Sequence, residues 1–147
     1  MKNSAVFLQK PDFSITIFSQ TQLLKMVVEL TRHITSLINF SAAEAQKISL
    51  AIDEAVTNVI KHSYDNATDQ QITIEYFLAP GGIKIRIFYR GLPPDISDEE
   101  INVSKMIKKK KKGGLGVKLM KTIMDSVTYE TMDGVNCCEM IKWQKTI

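Results

Sequence analysis

The run Leu50-Ala51-Ile52-Asp53-Glu54-Ala55-Val56-Thr57-Asn58-Val59-Ile60-Lys61-His62 decides how the rest of the chain is read. Glu54 and Asn58 stand four residues apart, so a helix puts them on one face, one turn from each other. The apolar residues beside them predict that this face packs inward. A carboxylate and a carboxamide placed there need partners. A hard cation held on phosphate oxygens is one such partner, because oxygen ligands suit Mg²⁺. A Glu-x-x-x-Asn pair alone is common, and the second element comes roughly sixty residues later as Gly113-Gly114-Leu115-Gly116. Glycines at a helix entry let backbone N–H groups approach a ligand, and a helix N-terminus favours phosphate.

Upstream, Ser41 with Glu44 matches a capping box, which starts the helix that runs to about His62 or Ser63. Before it, Leu23, Leu24, Val27, Leu30, Ile34, Leu37 and Ile38 recur at helical spacing between Gln20 and Asn39, with Ser19 as the expected cap. Phe13-Ser14-Ile15-Thr16-Ile17 alternates as a strand does, and an edge strand through Val6-Phe7-Leu8 is a further expectation. Downstream, Ile72, Ile74, Tyr76 and Leu78 share one face of a strand. Ala79-Pro80-Gly81-Gly82 turns the chain, and Ile83, Ile85, Ile87 and Tyr89 alternate in the return strand. Arg90-Gly91-Leu92-Pro93-Pro94 ends that hairpin. Residues 95–112 are polar, acidic first and then lysine from Lys108 to Lys112. Long segments of this kind in compact domains often form lids or binding loops. After the glycines, Val117, Leu119, Met120, Ile123 and Met124 form a helical stripe that ends at Asp125 or Ser126. Val127–Thr131 and Val135–Trp143 then pair around Asp133-Gly134, a strong hairpin signal. The sum predicts an α+β, two-layer sandwich: helices on one face of a mixed, mostly antiparallel sheet.

A chain of 147 residues predicts one domain, here 1–147, with room for a real core. The net charge of +3 is too small to imply nucleic acid by itself. No run approaches the roughly 18 apolar residues of a membrane span, and the start at Met1-Lys2 shows no apolar stretch of a secretory signal. Cys137 and Cys138 are adjacent, so in a strand they point to opposite faces and an ordinary disulfide between them is disfavoured. The reading is a reduced, cytoplasmic protein. His62 reads as a helix-end or packing residue, Met120 and Met124 as core, and His33 and Trp143 carry no chemical context.

The order of the stations resembles the GHKL ATPase superfamily, and within it the small bacterial anti-sigma-factor serine kinases. The likeness runs from about Leu23 to Lys142 and is carried by Asp53–Asn58 with His62-Ser63-Tyr64 behind it. Its other carrier is Gly113–Met120, followed by Met124-Asp125-Ser126-Val127. This resemblance implies ATP and Mg²⁺ as cofactors. It implies that Asn58 is the Mg²⁺ ligand and that Glu54 is the base for a protein serine hydroxyl. Gly113, Gly114, Leu115 and Gly116 become the cradle of the ATP phosphates, Gly91 part of the nucleotide site, and residues 95–112 the ATP lid. The implied partners are a sigma factor and an antagonist protein, and the implied assembly is a homodimer. One station departs from the family pattern. The strand usually ends in Asp-x-Gly, whose aspartate accepts from the adenine amino group, and here Tyr89-Arg90-Gly91 stands in its place. The alternation of Ile83, Ile85, Ile87 and Tyr89 leaves little freedom to shift that register. Intact Glu54, Asn58 and glycines favour a serine kinase. Tyr89 favours a regulatory module that keeps the fold and holds a partner. An accessory ATPase-like domain of a two-component or phosphatase-linked pathway is a third reading.

Overall fold

The computed structural model describes residues 7–93 and 114–145. The expected lid, the lysines from Lys108 to Lys112, and Gly113 lie outside the described residues. Five strands form one sheet in the order β1-β2-β3-β5-β4: β1 (Phe13–Phe18), β2 (Gln71–Ala79), β3 (Gly82–Tyr89), β4 (Ser126–Met132) and β5 (Val135–Trp143). Every pairing among them is antiparallel. Among the described residues, three α-helices cover one face: α1 (Thr21–Leu37), α2 (Ala42–Asn58) and α3 (Gly114–Ile123). A π-helical turn, Val59–Ser63, follows α2 directly.

The period-2 pattern puts one row of side chains from each strand under the helices. Ile17, Ile72, Tyr89, Asn136 and Thr131 stand in register across the sheet. Ile15, Ile74, Ile87, Cys138 and Tyr129 form the next row. Val27 and Ile34 of α1, Ile48, Ile52 and Val56 of α2, and Met120 of α3 close over them. Thr31 is one of the buried polar residues of this layer. Its hydroxyl donates to Val27 O at 2.8 Å, which leaves the Tyr76 hydroxyl to donate to Thr31 Oγ1 at 2.6 Å. The buried pair is therefore satisfied.

The opposite face carries a smaller cluster of Phe7, Phe77, Ala79 and Ile141, with Trp143 against it. Phe7 and Leu8 form no strand; Phe7 instead folds onto the Trp143 ring, with centroids 5.2 Å apart. Burial of an aromatic ring outweighs the few ladder bonds that a short edge strand there would make. Cys138 is buried and Cys137 half-buried on opposite faces, and both are free thiols.

Two helix ends differ from the sequence expectation. Ser19 does not cap α1. The N-cap is Gln20, without a side-chain cap bond. Ser19 is buried, donates to Ala67 O at 2.6 Å and accepts from Gln70 N–H at 3.2 Å, so its hydroxyl ties β1 to the segment before β2. α1 stops at Leu37, because Asn39 takes a left-handed φ of 71° and Phe40 N–H returns to Thr35 O at 3.2 Å. Ser41 does cap α2. Its oxygen accepts from Glu44 N–H at 3.1 Å, and its hydroxyl donates to the Glu44 carboxylate at 3.2 Å. Ser41→Ala should cost about 1 kcal/mol, seen in thermal unfolding as a drop of roughly 2–4 °C. An unchanged midpoint would mean that packing alone sets the start of α2.

Candidate nucleotide site

The site is built where α2 and α3 meet. Asp53, Glu54, Thr57 and Asn58 are half-buried on α2, while Ala51, Ile52, Ala55 and Val56 are buried under it. Thr57 donates to the Asp53 carboxylate at 3.3 Å, which commits Asp53 to its own helix. Glu54 and Asn58 face the first turn of α3 at Gly116. A Cβ added at Gly116 would collide with Glu54 Oε2. It would also lie 3.4 Å from Glu54 Cδ and 3.7 Å from Asn58 Nδ2. The two sequence stations therefore converge: acid, amide and helix entry share one small volume. The missing side chain at Gly116 is what allows the approach. Gly114 opens α3 and Leu115 follows it within the same turn. N–H groups in the first turn of a helix have no partner within it, and the helix dipole adds positive character there. Polar groups of this kind suit phosphate oxygens.

The π-turn positions the rest. Tyr64 N–H bonds to Val59 O at 2.9 Å, five residues back, and the widened turn presents Ser63 and Tyr64 to the end of β3. Leu92 N–H donates to Ser63 O at 3.2 Å. Arg90 N–H donates to the Tyr64 hydroxyl at 2.7 Å, and that hydroxyl donates to Gln71 O at 2.7 Å. Gly91 fits this junction with φ of 106°, where a Cβ would meet Ser63 O at 2.5 Å. Insertions of this type recur at functional sites. His62 is half-buried in the same turn. Burial, and secondarily the neighbouring Lys61 charge, lower its pKa below the ordinary 6.5, so the imidazole is neutral at pH 7.

Tyr89 ends β3 and points into the core, 3% exposed. Burial holds its hydroxyl well above the ordinary tyrosine pKa, and its ring meets Tyr64 edge-on with centroids 6.5 Å apart. The register inferred from the isoleucine alternation holds, since Tyr89 pairs with Ile72 and Asn136. Asn136 had no assigned part in the sequence reading, and Ser63 and Tyr64 entered it only as carriers of the resemblance. Asn136 is 1% exposed; its amide donates to Gly91 O at 3.2 Å and its oxygen accepts from Thr131 at 2.7 Å. The Asp133-Gly134 turn signals only part of its placement, because that turn sets Asn136 opposite Thr131 while its pairing with Tyr89 comes from the β3–β5 register.

Residues 18–142 match the histidine kinase-like ATPase domain. The chain belongs to this family. The serine-protein kinase RsbW of Listeria monocytogenes is 31% identical over 108 residues, which cover 70% of this chain and 69% of that protein. The RsbW of Bacillus subtilis is 21% identical over 140 residues, covering 92% and 84%. The fold is also that of a chain in the SiaB–SiaC complex of Pseudomonas aeruginosa, with a TM-score of 0.62, 10% identity and 90% of both chains covered. A structure of RsbU and RsbW domains from Mycobacterium tuberculosis gives a TM-score of 0.61 at 17% identity, covering 89% of this chain and 32% of that longer one.

An ATPase domain of this family implies an ATP site, and the phosphate end of such a site fits the geometry here. The Gly116 approach leaves the α3 entry, the Asn58 amide and the Glu54 carboxylate around one point. No helix among the described residues is long and apolar enough to cross a membrane.

Gly116→Ala tests the approach. The atom it would strike is the far end of a flexible side chain, and alanine favours a helix by up to about 1 kcal/mol over glycine. Thermal stability should therefore change by less than about 1 kcal/mol, while nucleotide affinity falls about tenfold or more because the added methyl group fills the space at the α3 entry that phosphate would take. A large loss of stability with unchanged affinity would contradict this placement.

Proposed function

We propose that this protein is an ATP-dependent protein serine kinase of the anti-sigma type, acting in the cytoplasm as a homodimer. It would bind a sigma factor and phosphorylate a serine on that factor's antagonist protein. The observation that carries the reading is the convergence of Glu54, Asn58 and Gly116 on one point. Likeness to serine-protein kinases RsbW supports it.

ATP with Mg²⁺, when bound, supplies the phosphoryl group and neutralises charge that builds up during transfer. The residues of this chain divide the remaining work. Gly114, Leu115 and Gly116 offer backbone N–H groups that hold phosphate oxygens, with Gly113 and Gly91 completing the nucleotide site. Asn58 offers its amide oxygen to the metal. Glu54 takes the proton from the incoming serine hydroxyl, a role that needs a carboxylate within hydrogen-bond reach of that oxygen. His62 is neutral and close in sequence to the pair, but its place in the π-turn gives it a packing role. The test is transfer of labelled phosphate from Mg²⁺–ATP to the antagonist of the sigma-factor pathway in which the protein works. Label on a serine of the antagonist is expected; none on the antagonist, in the presence of bound nucleotide, would overturn the kinase reading.

One observation favours a second reading. Tyr89 is buried at the end of β3, where the family pattern has an aspartate. A protein that holds its partner without turning over nucleotide would tolerate that loss of a base-reading carboxylate.

A further inference from the structure

The face of the sheet turned away from the helices holds a cavity of about 200 Å³ across β3, β5 and β4. Phe88, Cys137 and Glu130 stand in one row there, and Arg86 and Glu139 in the next. Phe88 and Met132 give the cavity apolar walls, and Met132 is 69% exposed, so that wall opens to solvent. Arg86 Nε donates to Glu139 Oε1 at 2.9 Å. One guanidinium against the two carboxylates of Glu130 and Glu139 leaves the lining with one net negative charge. Glu75, opposite Arg86 on β2, adds a third carboxylate beside it.

Size, chemistry and position select the occupant. Pockets for cofactor-sized ligands run to roughly 300–1,000 Å³, so this one suits a single side chain. Burial pushes the Cys137 thiol up to about 11; Arg86 pulls it down, and Glu139, Glu130 and Glu75 push it further up. It is therefore neither nucleophile nor metal ligand at neutral pH. Apolar walls with an acidic end match a lysine or arginine, whose aliphatic stem lies along apolar surface while its charged head meets the acids. Among the described strands β4 is last in the order, so it offers its outer edge to an added strand. Strands lie about 5 Å apart, so a long side chain placed opposite Glu130 on such a strand reaches the cavity across β4.

We propose that β4 and this cavity form a docking surface for an extended segment of a partner protein, which pairs along β4 and places a lysine or arginine side chain among Glu130, Glu139, Phe88 and Met132. The surface lies across the sheet from the helices that carry Glu54, Asn58 and Gly116, and it stands independently of the nucleotide site.

The test is titration of the isotope-labelled full chain with a short capped peptide of valine and threonine bearing one central lysine, and with its norleucine counterpart. Backbone amide shifts are the readout. Shifts are expected along β4 and at Cys137 and Glu139, with the lysine peptide bound about threefold or more tightly than the norleucine peptide. Added salt should erode that preference. Glu130 is exposed, so Glu130→Gln should keep the fold and remove most of the preference. Equal binding of the two peptides, shifts confined to other elements, or no binding at several millimolar would overturn the inference. Binding that appears only after Lys108 to Lys112 are replaced by alanine would also overturn it, by making this chain's own lysines the occupant. So would β4 amides that respond to dilution of the protein and not to peptide, which would assign the edge to a second copy.

Discussion

Glu54→Gln is expected to abolish serine phosphorylation while nucleotide still binds. The carboxamide keeps the length and shape of the side chain, so the contact with Gly116 is retained. It has no basic oxygen with which to take a proton. A positioned general base is typically worth about 10²–10⁴ in rate, and a loss of that order is predicted here. The dissociation constant for an unhydrolysable ATP analogue should change by no more than about threefold, well under the 1.4 kcal/mol of a tenfold step. Single-turnover transfer and titration of the same variant separate the two effects. If affinity falls with the rate, Glu54 is part of the binding surface and not the base.

Asn58→Ala is expected to remove the Mg²⁺-dependent part of nucleotide affinity. Mg²⁺ keeps few protein ligands and takes the rest from phosphates and water, so one amide oxygen carries much of the protein's hold on it. Hydrogen bonds and contacts to charged groups are worth about 1.5–3 kcal/mol, which corresponds to roughly 10–150-fold in the dissociation constant. Affinity without Mg²⁺ should move little. Asn58 lies half-buried at the end of α2, where α-helix gives way to the π-turn, so truncation opens no cavity in the core. A Mg²⁺ titration identical to that of the unaltered protein would dismiss the assignment.

Much of this arrangement was legible in the sequence because it rests on periodicity. The isoleucines of β2 and β3 alternate without exception, and their register follows from Ala79-Pro80-Gly81-Gly82. The Ser41 capping box marked the start of α2, and helical spacing set Glu54 and Asn58 on one face. What could not be read are contacts set by tertiary packing. Ser19 has the chemistry of a helix cap but finds Ala67 O and Gln70 N–H instead. Phe7 looked like part of an edge strand and was drawn onto the outer face by Trp143. The π-turn at Val59–Ser63 has no periodic signature, since a single inserted residue shifts the helix without altering its composition. Asn136 needed the β3–β5 register before it could be placed beside Gly91. At the candidate site the same division holds. Residue types and spacing pointed to Glu54, Asn58 and Gly116, while the closeness of Gly116 to both is a tertiary fact.

The most direct measurement is calorimetric titration of the purified protein with an unhydrolysable ATP analogue, with and without Mg²⁺. The α2–α3 junction predicts micromolar binding, about −8 kcal/mol, that depends on Mg²⁺. An absence of binding at millimolar analogue would contradict a nucleotide site at Glu54, Asn58 and Gly116.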